Sequence, residues 1–377
     1  MTTLGIIGGG QLAQMCALAA VPLGVRIKIL ERATEFPARH LASAVLHGDW
    51  DDGAHVWALA QQCDFVTLEN EFVDAAALRY AEERGAIVRP GSATMATVQD
   101  KYLQKTAFAQ AGLPVPAFAA VASPAEVVAF ANQHGWPVVL KKRRNGYDGK
   151  GNATVRSSNE LDTAWTKLGA SGLYVEAFCP FERELAIVAV RGADGARVAY
   201  PLVETVNADH ICRTVIAPAR TSPDIAQRAT QMALMAIDSV GGVGAFGMEL
   251  FLKADGSVLI NEIAPRVHNT GHYTIEGCDC SQFENHVRAV LGLPLGSTAL
   301  RAPHAVMVNL LGNGSGSGAP QGLAQALRER GVGLHLYGKS SVSKGRKMGH
   351  VTAIGDDLNE VLARAERAAG AIHFTTT

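Results

Sequence analysis

The sequence predicts an α/β protein: a parallel-sheet domain first, then a small α+β lobe, then a larger α+β region built on antiparallel strands. Three observations carry that reading. Strand and helix patterns alternate to about Gly91, a run of capped helices and short strands follows, and from Arg183 long strands are joined by tight turns. At 377 residues the chain is long enough for two or three domains.

"LGIIGGG" is an apolar strand ending in glycines, "QLAQMCALAAVPLG" a helix closed by Gly24, and "VRIKILE" a second strand. Helices "DGAHVWALAQQC" and "DAAALRYAEERG" alternate with strands "DFVTLE" and "AIVRPG", which predicts a parallel sheet with ligands at its carboxyl end. One long helix is expected from Ala93 to Ala111, stopped by Gly112 and "LPVP". In "SPAEVVAFANQHG" Ser123 caps, Pro124 sits in the first turn, Glu126 completes a capping box and Gly135 ends the helix. "WPVVLKKR" and "NATVRS" read as strands around a glycine loop, "SSNELDTAWTKLG" as a helix and "LYVEAF" as a strand. Beyond Arg183 come the strands "RELAIVAVRG" and "ARVAYPLVET", the helix "PDIAQRATQMALMAIDSVG", the hairpin "AFGMELFLKADGSVLINEIAP" and a last helix, "LNEVLARAERAAG". "GNGSGSGAP" reads as a flexible surface loop. The expected divisions are residues 1–92, a connector at 93–116, a small lobe at 117–180 and a large lobe at 181–377.

Lys plus Arg number 34 against 35 for Asp plus Glu, so no whole-molecule field draws the chain to nucleic acid or an anionic membrane. No apolar run reaches membrane-spanning length and the first residues lack a signal pattern, so a cytoplasmic protein is expected. Six scattered cysteines fit reduced thiols, and "CDC" near Cys278 lacks the second pair that zinc would need.

Three constellations could carry chemistry. If Asp255-Gly256 forms a two-residue turn, Glu249 lies opposite Glu262, and two like charges so placed need something positive between them. Mg²⁺ satisfies that need, and so does a bridging Arg or Lys. "VLKKRRNGYDGKGN" sets Lys141 at a strand end before glycines whose N–H groups can turn toward phosphate, although a solvated basic hairpin tip has the same composition. "GGGQLA", Gly8 to Ala13, matches a dinucleotide fingerprint with Glu31 closing the next strand, which is the motif of a nicotinamide-dependent oxidoreductase. The same helix N-terminus can instead hold the phosphate of a nucleotide-like substrate.

Taken together, the strand lysine, glycine flap, "YVEAF" hinge and paired glutamates resemble the ATP-grasp superfamily. "GGGQLAQM", "NGYDGKGN", "NEIAPRVHNTGH" and "YGK…RKMGHVT" are similar to the 5-(carboxyamino)imidazole ribonucleotide synthetase family over nearly the whole chain. That resemblance implies an ATP-grasp fold behind a Rossmann-like, pre-ATP-grasp domain that binds substrate. It implies ATP- and bicarbonate-dependent carboxylation of the exocyclic amine of 5-aminoimidazole ribonucleotide through carboxyphosphate, a step of purine biosynthesis. ATP phosphates would go to Lys101, Lys141 and the flap residues Gly146, Tyr147, Asp148, Gly149, Lys150, Gly151 and Asn152. Adenine and ribose would go to Glu176, Ala177, Phe178, Cys179 and Glu184. Asn207, Asn261 and Glu262 would complete the ATP site, with Mg²⁺ on Glu249 and Glu262. The ribonucleotide would meet Gln11, Glu71, Arg266, His268, Asn269, Lys339, Arg346 and Lys347, the last three cations of its group gripping the 5′-phosphate. Tyr147, Asp148, Lys141 and Arg266 would take part in the chemistry.

Two positions depart from the pattern: Asn207 stands where the family usually has histidine, and Ala264 where many ATP-grasp enzymes carry an asparagine ligand. Singly, Lys339, Arg346 and Lys347 could be surface charges, and His268 and His272 could be hydrogen-bonded core residues. Another ATP-grasp ligase, or a nucleotide sensor without activity, would share most of these features. The resemblance also implies a homodimer.

Overall fold

Four parallel strands, in the order Ala44–His47, Arg26–Glu31, Thr3–Ile7, Phe65–Leu68, form the first sheet. The computed structural model describes residues 1–144, 146 and 151–376. Ala44–His47 was not expected as a strand, and "AIVRPG" does not form one; it contributes a single bridge, Val66 to Val88. The helix Gln11–Ala20 starts directly after the glycine loop and packs on helix Gln282–Leu291 of the large lobe. Leu12, Met15 and Cys16 share one buried cluster with Phe283 and Val287, so the glycine loop is held against the large lobe by apolar burial.

The expected long connector helix is two helices, Ser92–Gln99 and Lys101–Gln110, broken at Asp100. Asp100 is extended (φ −98°, ψ 103°), and its carboxylate accepts from the backbone N–H groups of Tyr102 and Leu103 at 3.0 and 3.2 Å. Arg143 at the root of the flap holds the same carboxylate. An N-cap there turns the chain so that Lys101 opens the second helix.

The small lobe is an antiparallel sheet ordered Phe118–Val121, Leu173–Ala177, Val138–Lys142, Asn152–Val155. Ser123 caps helix Pro124–His134 as expected, although Glu126 reaches back to the N–H of Ala122 (2.9 Å). Beyond it, strands from Arg183–Arg191 to Lys347–Gly355 join one large antiparallel sheet. The strand expected as "ARVAYPLVET" breaks at Tyr200–Leu202 into Arg197–Ala199 and Val203–Ala208, and Ile211–Ala217 is an additional strand of that sheet. Among the described residues no helix is long and apolar enough to cross a membrane.

Only the first part of "GNGSGSGAP", residues 312–315, lies outside regular structure. Gly316–Gln321 is the central strand of a small sheet, between Ser341–Val342 and His373–Thr376.

Candidate active site

Glu249 does face Glu262, but not through the expected turn. Lys253 N–H donates to Ser257 O and Gly256 N–H to Lys253 O, both at 2.9 Å, so the turn holds three residues, with Gly256 at φ 77°. That alone would displace the pairing by one residue. A β-bulge restores it: Leu250 faces Ile260, Glu249 faces Glu262, and Asn261 is the extra residue. Asn261 Nδ2 lies 3.4 Å from Glu249 Oε2, on the side of the carboxylates.

Burial, and then the charge of Glu262, push the Glu249 carboxyl up to about 7. Burial opposes ionisation of Glu262 as well, but Lys101 outweighs it and the Glu262 pKa falls. Lys101 pairs with Glu262 and also favours the charged form of Glu249, but at Glu249 burial and the facing carboxylate outweigh it. Among the described residues no group of three His, Cys, Asp or Glu could hold a metal by itself. Two facing carboxylates with hard oxygen donors therefore fit a Mg²⁺ that takes its remaining ligands from phosphate and water.

Lys141 stands at the flap root, paired across the hairpin with Asn152. Val139 faces Glu176 and Lys141 faces Tyr174 on the neighbouring strand, which makes Glu176 and Lys141 diagonal neighbours on one face. Glu176, 2% exposed, meets Lys141 Nζ at 2.5 Å and Lys105 Nζ at 2.9 Å. Burial works to raise its pKa, but the two lysines overcome it and hold it at about 2. The Glu176 carboxylate is thus committed to lysines, and Glu176, Ala177, Phe178 and Cys179 together line this part of the cleft. Lys105 was missed; its signal is the i,i+4 spacing with Lys101 in "KYLQK", which sets both ammonium groups on one helix face. Glu184 accepts a hydrogen bond from Asn207, the residue in the usual histidine position.

The other end of the cleft is cationic. Arg266 makes a two-pronged pair with Glu71, with Nη2 to Oε1 at 2.8 Å. Burial raises the Glu71 pKa, yet Arg266 outweighs it and holds it at about 2. His268 is kept neutral: burial first, then the charges of Arg266 and Lys347, lower it to about 3. Asn269 exchanges both amide hydrogen bonds with Asn309, at 2.9 and 2.8 Å, so it braces the wall. His272 is core, 1% exposed and bonded to Gln282. Lys339 Nζ donates to Lys347 O at 2.7 Å, and Arg346 to the Ser341 carbonyl at 2.9 Å.

One continuous cleft of about 1070 Å³ is lined by Gln11, Glu71, Lys101, Lys141, Glu184, Asn207, Glu249, Glu262, Arg266, Lys339, Arg346 and Lys347. Gly146, Asn152, Asn261, His268 and Asn269 line it too. Tyr147, Asp148, Gly149 and Lys150 lie outside the described residues. Glu69 is a wall residue that the sequence reading missed, although "ENE" sets it and Glu71 at the alternate spacing of a strand end.

The glycine fingerprint does not present a dinucleotide site. Glu31 Oε2 accepts from Gly9 N–H at 2.7 Å, and Oε1 from the N–H groups of Arg32 and Ala33 at 2.7 and 3.1 Å. That carboxylate is spent on backbone, not offered to a ribose. A Cβ on Gly9 would lie 2.3 Å from the Phe36 ring and one on Gly10 2.2 Å from Glu69 Oε1, so the glycines make room for the protein's own side chains.

A glycine-flap lobe, a lysine pair and two carboxylates on facing strands define an ATP-grasp enzyme. Family models agree: an ATP-grasp domain matches residues 106–283, a ribonucleotide synthetase preATP-grasp domain residues 1–99, and a phosphoribosylaminoimidazole carboxylase C-terminal domain residues 305–364. The N5-carboxyaminoimidazole ribonucleotide synthase of Synechococcus elongatus is 42% identical over 93% of this chain and 88% of its own. The crystal structure of the Thermotoga maritima synthetase covers 100% of both chains at 36% identity and a TM-score of 0.90. An Aspergillus clavatus synthase in complex with ADP and 5-aminoimidazole ribonucleotide gives 35% identity, 98% coverage of both chains and a TM-score of 0.90. The phosphoribosylaminoimidazole carboxylase of Schizosaccharomyces pombe is 41% identical over 95% of this chain, which spans 66% of that longer protein. The chain belongs to the N5-carboxyaminoimidazole ribonucleotide synthase family.

Proposed function

We propose that this chain carboxylates the exocyclic amine of 5-aminoimidazole ribonucleotide, using ATP and bicarbonate. The observation that carries this reading is the single cleft joining a lysine-and-carboxylate phosphate site to the Lys339–Arg346–Lys347 cations. Bicarbonate is a poor electrophile, so an oxygen of bicarbonate attacks the γ-phosphorus of ATP, ADP leaves, and carboxyphosphate forms. The amine nitrogen then attacks the carboxyl carbon, or CO₂ released from it; phosphate departs and the amine loses a proton. Phosphoryl transfer is catalysed mainly by positioning and charge neutralisation. Lys141, fixed by Glu176, and Lys101 at its helix start supply cations for the phosphates. Glu249 and Glu262 would hold Mg²⁺, which when bound neutralises phosphate charge. Arg266, locked by Glu71, and neutral His268 orient the imidazole, and Tyr147 or Asp148 takes the amine proton.

Lys339, Arg346 and Lys347 grip the 5′-phosphate. Burial, then Arg346, lower the Lys339 pKa to about 8, so this cation is lost as pH rises through that value. The expected result is a fall in kcat/KM for the ribonucleotide of about tenfold across that range, flattened in Lys339→Arg, whose guanidinium keeps its charge. A wild-type profile without that fall would remove Lys339 from the clamp.

ADP release measured with bicarbonate, with and without the ribonucleotide, tests the function: only the proposed reaction needs the ribonucleotide for a carboxylated product. ADP release with no carboxylated product would favour another ATP-grasp reaction. Exposed apolar side chains at Leu18, Val21 and Leu293 support a homodimer, and six free thiols fit a reducing compartment, the cytoplasm.

A further inference from the structure

The glycine-rich stretch after Leu311 is bonded to the clamp loop through backbone groups. Gly312 N–H donates to Arg346 O at 2.9 Å, Gly345 N–H to Gly312 O at 2.8 Å, and Gly318 N–H to Ser340 O at 3.1 Å. Between these bonds Gly316 pairs with Val342 and Ser317 with Ser341. The strand therefore runs along the segment that carries Lys339 and Arg346, and reaches both ends of it.

Two glycines lie closer to that segment than any side chain allows. A Cβ on Gly318 would stand 1.8 Å from Lys339 O, 2.8 Å from the Lys339 carbonyl carbon and 3.1 Å from the Ser340 carbonyl carbon. One on Gly312 would stand 2.3 Å from Ser343 O and 2.4 Å from Val342 Cγ2. The nearest atom in each case is backbone and cannot rotate aside, so an added methyl must move the loop. Neither glycine has a left-handed φ, so the requirement is for space. Lys339 Nζ is tied to Lys347 O, which passes any displacement of the loop to two clamp cations.

We propose that Gly318, assisted by Gly312, is a positioning residue that sets the distance of the Lys339–Lys347 loop from the cleft and so determines affinity for the ribonucleotide's phosphate. The inference rests on the phosphate-clamp reading above. Charge-assisted hydrogen bonds to phosphate are short and directional, so a shift of the loop weakens ground-state binding and leaves the distant phosphoryl-transfer groups in place.

In the full-length enzyme, Gly318→Ala should raise the ribonucleotide KM about tenfold or more, with kcat and the ATP KM within about twofold of wild type. Ser317→Ala, an exposed neighbour on the same strand, should match wild type. In a Lys339→Ala background the Gly318→Ala change should raise the ribonucleotide KM by less than it does in the wild type, because Lys339 is one of the clamp cations the displaced loop carries. Should Gly318→Ala fail to fold, Gly312→Ala is read the same way. An unchanged ribonucleotide KM, a parallel loss in kcat and ATP KM, or full additivity with Lys339→Ala would overturn the proposal. If Lys339→Ala itself leaves the ribonucleotide KM unchanged, the clamp reading falls and the positioning role with it. A normal Lys339→Ala effect beside a silent Gly318→Ala removes the positioning role alone.

Discussion

Glu262→Gln should cut bicarbonate-dependent ADP formation by about 10²-fold or more while the fold survives. Glu262 is the carboxylate that stays ionised: Lys101 pairs with it, while Glu249 opposite is pushed up to about 7. An amide keeps the shape, removes the charge that would draw a divalent cation, and frees Lys101 from its partner. Circular dichroism and thermal unfolding close to wild type, together with the lost turnover, are the expected pair of results. Near-normal turnover would remove the paired carboxylates from the mechanism.

Glu176→Gln should be the most destabilising single change in the site, costing about 3–5 kcal/mol in denaturant unfolding near pH 6. Glu176 answers two lysines, and Lys105, only 1% exposed, has no water to replace it. Burial already brings Lys105 down to about 8 with its partner present. Without Glu176 it falls further, so the folded variant holds a neutral Lys105 where the unfolded chain holds a charged one. The unfolded state then binds more protons, and stability rises with pH. The deficit against wild type should therefore shrink from about pH 6 to about pH 8, and Lys105→Met in the same chain should recover part of it. A loss below about 1 kcal/mol would show that the buried charges are not interdependent.

The paired glutamates were legible in the sequence for an incomplete reason. Alternation located both strands, but "KADGS" forms a three-residue turn, and the bulge at Asn261 supplies the compensating residue. A bulge leaves no periodic trace, because it depends on neighbouring strands. The parallel sheet was legible because apolar periodicity and glycine punctuation agree, whereas the break at Asp100 was not. Asp100 caps a helix inside a helical pattern and is held there by Arg143, distant in sequence. "GNGSGSG" has the composition of a linker, and its strand exists because the clamp loop offers a backbone edge at close range. Lys141 was legible from its place at a strand end before the glycines, whereas Lys101, Arg266 and the C-terminal cations came from the resemblance, and Lys105 was missed. Its spacing from Lys101 places it on the same helix face, but its burial depends on the tertiary placement of Glu176.

The transfer of phosphate to bicarbonate is the step on which the account depends, and oxygen tracing tests it directly. With bicarbonate carrying ¹⁸O, turnover in the presence of the ribonucleotide should deliver one labelled oxygen to inorganic phosphate, because that oxygen bonds to phosphorus before its bond to carbon breaks. Phosphate released without label, at full yield of carboxylated product, would contradict it.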